Sequence, residues 1–213
     1  MDLDYRKLSP IQLDALKEVG NIGAAHAATA LSQIIEKTIM ITVSRIEIVP
    51  IGELCKVVGG AETQTAVVRM HILGDIRGEI ILALAKDDAL SFADVLKGSA
   101  RGTTTCLDEV GESAIKEAGS ILAASYLKAI GDFLKVTFIP SVPGLMHGRM
   151  GAILKDVFTE VARRAEIAFC IETEFIEASS KIEGHFILMP DVKSMALIFK
   201  ALGVSDMEEM SGR

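Results

Sequence analysis

The chain consists of two copies of one pattern. When residues 11–44 are shifted by 99 positions onto residues 110–143, ten of the 34 aligned pairs are identical. Unrelated segments of ordinary composition would share about two. Farther along, Gly78–Leu82 aligns with Gly184–Leu188 at an offset of 106, so the second copy holds seven extra residues near Met150–Arg163. The extra residues have a helical pattern. We therefore predict a single domain made of two repeats, residues 9–98 and 107–203, with linker 99–106 and a disordered tail at 205–213.

Each repeat has the pattern of a long helix, several strands and a short helix. Ser9 and Pro10 are typical of a helix start, and Gln12 can complete a capping box with Ser9. Apolar residues then recur at three- and four-residue steps as far as about Glu36. The other predicted elements are strands Thr38–Val49, Gln64–Leu73 and Arg77–Ala85, a helix capped by Asp87 and ended by Gly98, and a last helix over Asp191–Leu202 ended by Gly203.

This order of elements predicts an α/β fold of the α+β type. We expect it to be internally duplicated and pseudo-two-fold, with two long amphipathic helices packed on an antiparallel-rich β-sheet. The chain has no Trp, two Tyr and eight Phe, so its core should be mainly aliphatic. Whether the two halves share one continuous sheet is not decided by the pattern.

Composition narrows the classes of function. The net charge is −7 and no run of Lys and Arg stands out, which disfavours nucleic acid as a partner and favours a basic protein surface. No apolar run approaches the roughly 18 residues that a membrane span needs. The three cysteines, Cys55, Cys106 and Cys170, lie far apart, which is unlike a disulfide framework or a CxxC metal site. We expect a cytoplasmic protein without a membrane partner.

Three polar residues follow one face of the first predicted helix. Asp14, Glu18 and Asn21 are spaced four and three apart, so their side chains line up along the helix. Their copies in the second repeat are Ser113, Glu117 and Ser120. Such a face can simply be the solvated side of a helix. However, asparagine in mid-helix and the neighbouring Gly20 both lower helix stability, and Gly20 leaves space around Asn21.

The chemistry open to this face is the positioning of water. A carboxamide both donates and accepts hydrogen bonds, so Asn21 can orient a water molecule for attack on a phosphoryl group. The chain has no HExxH motif and no GxxxxGKS/T loop, and His71, His147 and His185 are isolated in sequence. We therefore expect no cofactor and no metal held by this chain itself.

The spacing around Asn21 resembles a known signature. Asp14-x3-Glu18-x2-Asn21 and its repeat are similar to the D/S-x3-E-x2-N motif of the CheC, CheX and FliY phosphatases of chemotaxis. The resemblance continues through Gly20–Ser32, Met40–Val43, Gly74–Gly78 and Glu172–Phe175, and CheC fits it best.

This resemblance implies a CheC-like domain that dephosphorylates the response regulator CheY. Asn21 would orient the attacking water and Glu18 would dock against a lysine of the regulator, with Asp14 and Ser113 in supporting positions. The regulator's own acidic pocket would hold the aspartyl phosphate and Mg²⁺. The receptor deamidase CheD is a further partner that the resemblance implies.

The chain departs from the family pattern at two positions. Ser120 stands where the second motif has asparagine, and Ser44 stands where a proline follows the first motif, whereas Pro143 keeps that proline in the second. We predict that Glu18 and Asn21 form the catalytic site and that Glu117 and Ser120 form a weak or binding-only one. The main alternative is a binding module that sequesters phosphorylated CheY or regulates CheD. A third possibility is a structural adaptor in a motility switch.

Overall fold

The computed structural model describes residues 8–161, 165–177 and 180–203. Its helices are α1 (Pro10–Ile35), α2 (Leu54–Val57), α3 (Lys86–Leu96), α4 (Glu109–Leu134), α5 (Met150–Val161) and α6 (Val192–Ala201). Its strands are β1 (Met40–Pro50), β2 (Gln64–Gly74), β3 (Gly78–Ala85), β4 (Phe138–Pro140), β5 (Gly144–Arg149), β6 (Ile167–Glu177) and β7 (Ser180–Pro190). The predicted tail at 205–213 lies outside the described residues.

The described strands form one antiparallel sheet that both halves share. Its order is β1-β6-β7-β3-β2-β4, and β5 also pairs with β2. The first strand of the first repeat, β1, pairs with β6 of the second repeat. In turn β4 and β5 of the second repeat pair with β2 of the first. Because the first strands of each repeat pair with strands of the other repeat, the sheet is complete only when both repeats fold together.

The duplication is also visible as a pseudo-two-fold axis. At the centre of the sheet Ile81 pairs with Ile187, its own equivalent at the offset of 106. The long helices α1 and α4 end alike, at Glu36 and Lys135, with left-handed φ angles of 54° and 58°. These two residues are equivalents at the offset of 99. The predicted pseudo-two-fold arrangement of two long helices on an antiparallel sheet is confirmed.

Both faces of the sheet are buried. The larger apolar cluster lies on the face covered by α1, α4, α3 and α6, and it includes Leu82 and Phe186. A smaller cluster lies on the other face, where Ile81 and Ile187 contact the residues of α2 and α5. The two long helices approach closely at Gly23, where a Cβ atom would lie 3.0 Å from the Tyr126 Cα.

Most of the predicted elements are present, with one error at a helix start. Ser9 caps α1 and forms the predicted capping box with Gln12. The extra residues of the second repeat include α5, as predicted. The assignment of Asp87 as a cap is wrong. Because α3 begins at Lys86, Asp87 lies inside the first turn, and the N-cap is Ala85, which makes no side-chain hydrogen bond.

The linker between the repeats is anchored by a buried carboxylate. Asp94, on α3, is fully buried. Its Oδ2 accepts hydrogen bonds from the backbone N–H groups of Gly102 at 2.8 Å and Thr103 at 3.1 Å. Its Oδ1 accepts one from Thr104 N at 3.0 Å. Burial raises the pKa of Asp94, but the hydrogen bonds from Thr104, Gly102 and Thr103 outweigh it and hold the pKa below its ordinary value.

We expect Asp94→Ala to lower the free energy of unfolding by about 2–4 kcal/mol, because three N–H groups lose a charged acceptor. A depressed folded-state pKa contributes stability above the ordinary pKa of about 3.9, and that contribution is lost as the pH falls through the folded value. Urea denaturation at pH 7 and near pH 3 measures both effects, with Asp87→Ala in the same helix as control. Equal losses for the two variants at pH 7 would contradict the anchoring role.

Candidate active site

The predicted motif lies on an open face of α1. Asp14 and Glu18 are exposed, and Asn21 is half-buried where the helix meets β1. Two apolar side chains on the same helix stay in contact with solvent, Ile11 at 80% exposure and Ile22 at 47%. Because Ile11, Glu18 and Ile22 follow the three- and four-residue spacing of one helix face, they form a stripe with a carboxylate between two apolar groups.

The side chain of Asn21 is held by the backbone of β1. Its Oδ1 accepts a hydrogen bond from the Val43 N–H at 3.0 Å. A backbone N–H can only donate, so this contact fixes which end of the carboxamide is the oxygen. The oxygen keeps a second lone pair, and the Nδ2 group keeps its hydrogens as donors. The carboxamide is therefore oriented before any partner arrives.

Local features of α1 and β1 place the Val43 N–H group beside Asn21. The pairing of β1 with β6 shifts register between Val43 and Arg45, so Ser44 forms a bulge. The Ser44 hydroxyl donates a hydrogen bond to the Glu172 carbonyl at 3.3 Å. On the helix, a Cβ atom at Gly20 would lie 3.3 Å from the Val43 side chain. Gly20 therefore also allows the close approach of α1 to β1, a role that the sequence did not indicate.

The second copy of the motif has different surroundings. Ser113 and Glu117 are exposed on α4, and Ser120 is half-buried, as Asn21 is in the first copy. However, the strand that corresponds to β1 is interrupted, since β4 ends at Pro140 and β5 begins at Gly144. Pro143 lies in this gap, at the position equivalent to Ser44.

The backbone donor of the first site has no similarly placed counterpart in the second. Val142 is 89% exposed, whereas its equivalent Val43 is 4% exposed. A Cβ atom at Gly119 would lie 3.0 Å from the Val68 side chain on β2, whereas Gly20 faces the edge strand β1. The two copies therefore differ in the strand beneath the helix as well as in the residue at Asn21 and Ser120.

Sequence reasoning missed the role of Val43. Val43 and Val142 are one of the ten identical pairs of the repeat, so identity alone gave no sign that only the first contacts the motif. The available signal was Ser44, which replaces the proline of the signature and leaves the strand unbroken. Within the described ranges, no group of three or more His, Cys, Asp or Glu side chains is arranged to hold a metal ion.

Comparison with known proteins decides the family. The model of the CheC-like family matches residues 11–43 and 110–147, the two segments that contain the two motif copies. The chain is 32% identical over 198 residues to the CheY-P phosphatase CheC of Bacillus subtilis (strain 168), and the match covers 91% of this chain and 95% of that protein. The chain belongs to the CheC-like family.

Other relatives support the same fold. The flagellar motor switch phosphatase FliY of Bacillus subtilis (strain 168) is 28% identical over 112 residues, which cover 52% of this CheC-like chain and 29% of FliY. The crystal structure of Thermotoga maritima FliY superposes with a TM-score of 0.74 at 23% identity, covering 92% of this chain and 98% of that one. The FliM middle domain from H. pylori has a TM-score of 0.64 at 16% identity, with 91% and 99% covered. Among the described helices, none is both long and apolar enough to cross a membrane.

Proposed function

We propose that this protein is a chemotaxis phosphatase that hydrolyses the aspartyl phosphate of the response regulator CheY. Membership of the CheC-like family supports the class of reaction, since a relative that aligns along 95% of its length is named a CheY-P phosphatase. The observation that carries the proposal is the carboxamide of Asn21, fixed by Val43 N at 3.0 Å. It lies one helical turn from the exposed Glu18.

Asn21 positions water for in-line attack. The second lone pair of its oxygen accepts a hydrogen bond from the water, and its Nδ2 hydrogens donate to the water or to a phosphoryl oxygen. Phosphoryl transfer passes through a loose transition state, so positioning and electrostatics supply most of the rate enhancement and a strong base is not required. The bond to Val43 limits the rotamers of Asn21, so less freedom is lost when the water is bound.

The metal and the phosphoryl group belong to the partner. The phosphorylated aspartate and the Mg²⁺ that neutralises its charge would be held in the regulator's own acidic pocket. This chain needs only to cover that pocket with α1 and present Asn21 to the phosphorus.

Docking of the regulator depends on the stripe around Glu18. Its exposed carboxylate can pair with a lysine of the regulator, while Ile11 and Ile22 provide apolar contact on either side. Asp14, one turn earlier, supports this surface. The net charge of −7 favours association with a basic patch.

The second copy is proposed to bind weakly or without turnover. Glu117 and Ser113 are exposed like their equivalents, so the docking part of the surface is retained. Ser120 is too short to offer a paired donor and acceptor at the same distance, and its neighbouring strand is broken.

This degenerate copy favours one alternative function. The protein could sequester phosphorylated CheY, or regulate the deamidase CheD, with little or no turnover. The retained Glu117 beside the altered Ser120 is the observation that favours it.

The test is the decay of phosphorylated CheY, prepared with acetyl phosphate, with and without this protein. Faster phosphate release at substoichiometric protein supports the phosphatase. Phosphorylated CheY that binds but decays at its intrinsic rate would establish the binding module instead.

Glu18→Ala is expected to raise the half-saturating concentration of phosphorylated CheY by about tenfold, because a central charged contact is lost. The rate at saturation should change far less, since Asn21 remains in place. Titration of phosphate release against the concentration of phosphorylated CheY separates the two quantities. Glu117→Ala removes the same side chain from the other copy and should have the smaller effect; a larger effect of Glu117→Ala would reverse the assignment of the two sites.

A further inference from the structure

A cavity of about 320 Å³ lies between the beginnings of α3 and α4. Its floor is apolar and includes Ala66 and Ala89, both buried. Polar side chains surround the opening, among them Lys86, Glu112 and His147, and the exposed thiol of Cys106 also lines it. A concave apolar floor with a few convergent polar groups is the usual form of a small-molecule site, and the volume lies within the usual range.

Across the pseudo-two-fold axis, apolar side chains stand at several of the equivalent positions. At the offsets of 99 and 106 the equivalents are Leu13 for Glu112, Ile48 for His147 and Met195 for Ala89. Leu13 and Ile48 pack against the main apolar cluster, and Met195 is 4% exposed within it. Three residues of the cavity lining therefore differ in polarity or size from their equivalents across the pseudo-two-fold axis.

The charges at the opening indicate what the cavity would hold. Glu112 Oε1 lies 3.1 Å from His147 Nε2, so the two side chains form a hydrogen bond that uses one of the two carboxylate oxygens of Glu112. Lys86 makes no ion pair with any residue in the described part of the chain. An ammonium group without a partner, next to an apolar floor, matches a carboxylate attached to an apolar body.

We propose that this cavity binds a small organic carboxylate, with its acidic group on Lys86 and its apolar body over Ala89. The second oxygen of Glu112 is left to accept an ammonium group, so an α-amino acid and a simple carboxylic acid share the required chemistry. The site is distinct from the motif residues Glu18 and Asn21, and the proposal does not depend on phosphatase activity.

The test uses Cys106 as a reporter. In a Cys55→Ser background the remaining thiols are Cys106, which is exposed, and Cys170, which is buried, so N-ethylmaleimide should label Cys106. We expect 4-methylpentanoate to slow this labelling, with half-protection on the order of 1 mM. Leucine has the same carbon skeleton as 4-methylpentanoate with an added ammonium group. Stronger protection by leucine would assign Glu112 as the partner of that ammonium group. The matched neutral compound, 4-methylpentan-1-ol, should protect at least tenfold less well.

Two variants examine the site directly. Lys86→Gln removes the exposed ammonium group and should weaken protection about tenfold, whereas Lys56→Gln, on α2 and outside the cavity lining, should leave it unchanged. Ala89→Met introduces the residue of the other repeat and should abolish protection by filling the floor. Circular dichroism establishes that each variant is folded. Equal protection by the alcohol, no protection by either carboxylate at tens of millimolar, or unchanged protection in a folded Lys86→Gln would overturn the proposal.

Discussion

Replacing Asn21 with alanine is expected to lower the saturated rate of phosphate release from phosphorylated CheY by about 100- to 1,000-fold. The loss should be this large because the group removed is the one that orients the attacking water, and bulk water cannot supply the same fixed geometry. Asn21→Asp provides a sharper comparison. Its carboxylate can still accept the hydrogen bond from Val43 N–H, but it has no amide hydrogens to donate. Both variants should be slow if donation by Nδ2 contributes to the reaction.

The control for this prediction is built into the chain. Ser120→Ala changes the equivalent position of the second motif and should leave the rate almost unchanged. The half-saturating concentration of phosphorylated CheY should also move little in Asn21→Ala, since Glu18 is intact. If Asn21→Ala kept full activity while Ser120→Ala lost it, the catalytic assignment would have to pass to the second copy.

Gly78→Ala is expected to destabilise the protein by about 3 kcal/mol or more, at the upper end of what overpacking costs. A Cβ atom at Gly78 would lie 2.1 Å from the carbonyl oxygen of Met189 and 2.8 Å from the Pro190 Cα, and the φ angle of +157° is unfavourable for other residues. Both clashes are with backbone, which cannot turn aside as a side chain can. Gly78 pairs with Pro190 where β3 meets β7, so the strain falls on the junction between the two repeats.

The free energy of unfolding in urea measures this effect. Gly52→Ala is the matched control, because a Cβ atom there would meet nothing within 4 Å. That variant should be neutral or slightly stabilising, since alanine restricts the unfolded chain more than glycine does. A loss below about 1 kcal/mol for Gly78→Ala would mean that β3 and β7 separate more easily than this packing requires.

The sequence was sufficient for features that depend on local chemistry. The three-and-four periodicity of apolar residues and the Ser9, Pro10 and Gln12 signals predict α1, because the hydrogen bonds of a helix and its cap lie within a few residues. The predicted start of α3 was wrong because the local signal, Asp87, did not include the effect of the neighbouring strand. Asp87 is a good capping residue, but β3 runs directly into the helix at Lys86, and strand pairing determines where the helix can begin.

The chain's own duplication supplied information that a single copy could not. Comparison of the two copies drew attention to the motif, identified Glu117 as the equivalent of Glu18, and showed that Asn21 and Ser120 differ. It could not show that the repeats exchange their opening strands, because this pairing joins residues 64 to 136 positions apart and many registers satisfy the same alternation of side chains.

By itself, then, the sequence determined the two repeats, their helices and strands, the motif residues and the family to which the motif belongs. Only the tertiary structure decided that Val43 orients Asn21, that Pro143 lies where the matching strand is interrupted, and that a cavity opens beside Lys86 between α3 and α4. The physical reason is that hydrogen bonds between elements and the filling of space depend on distances across the fold. Two copies with similar local patterns can therefore differ in what they can bind or catalyse.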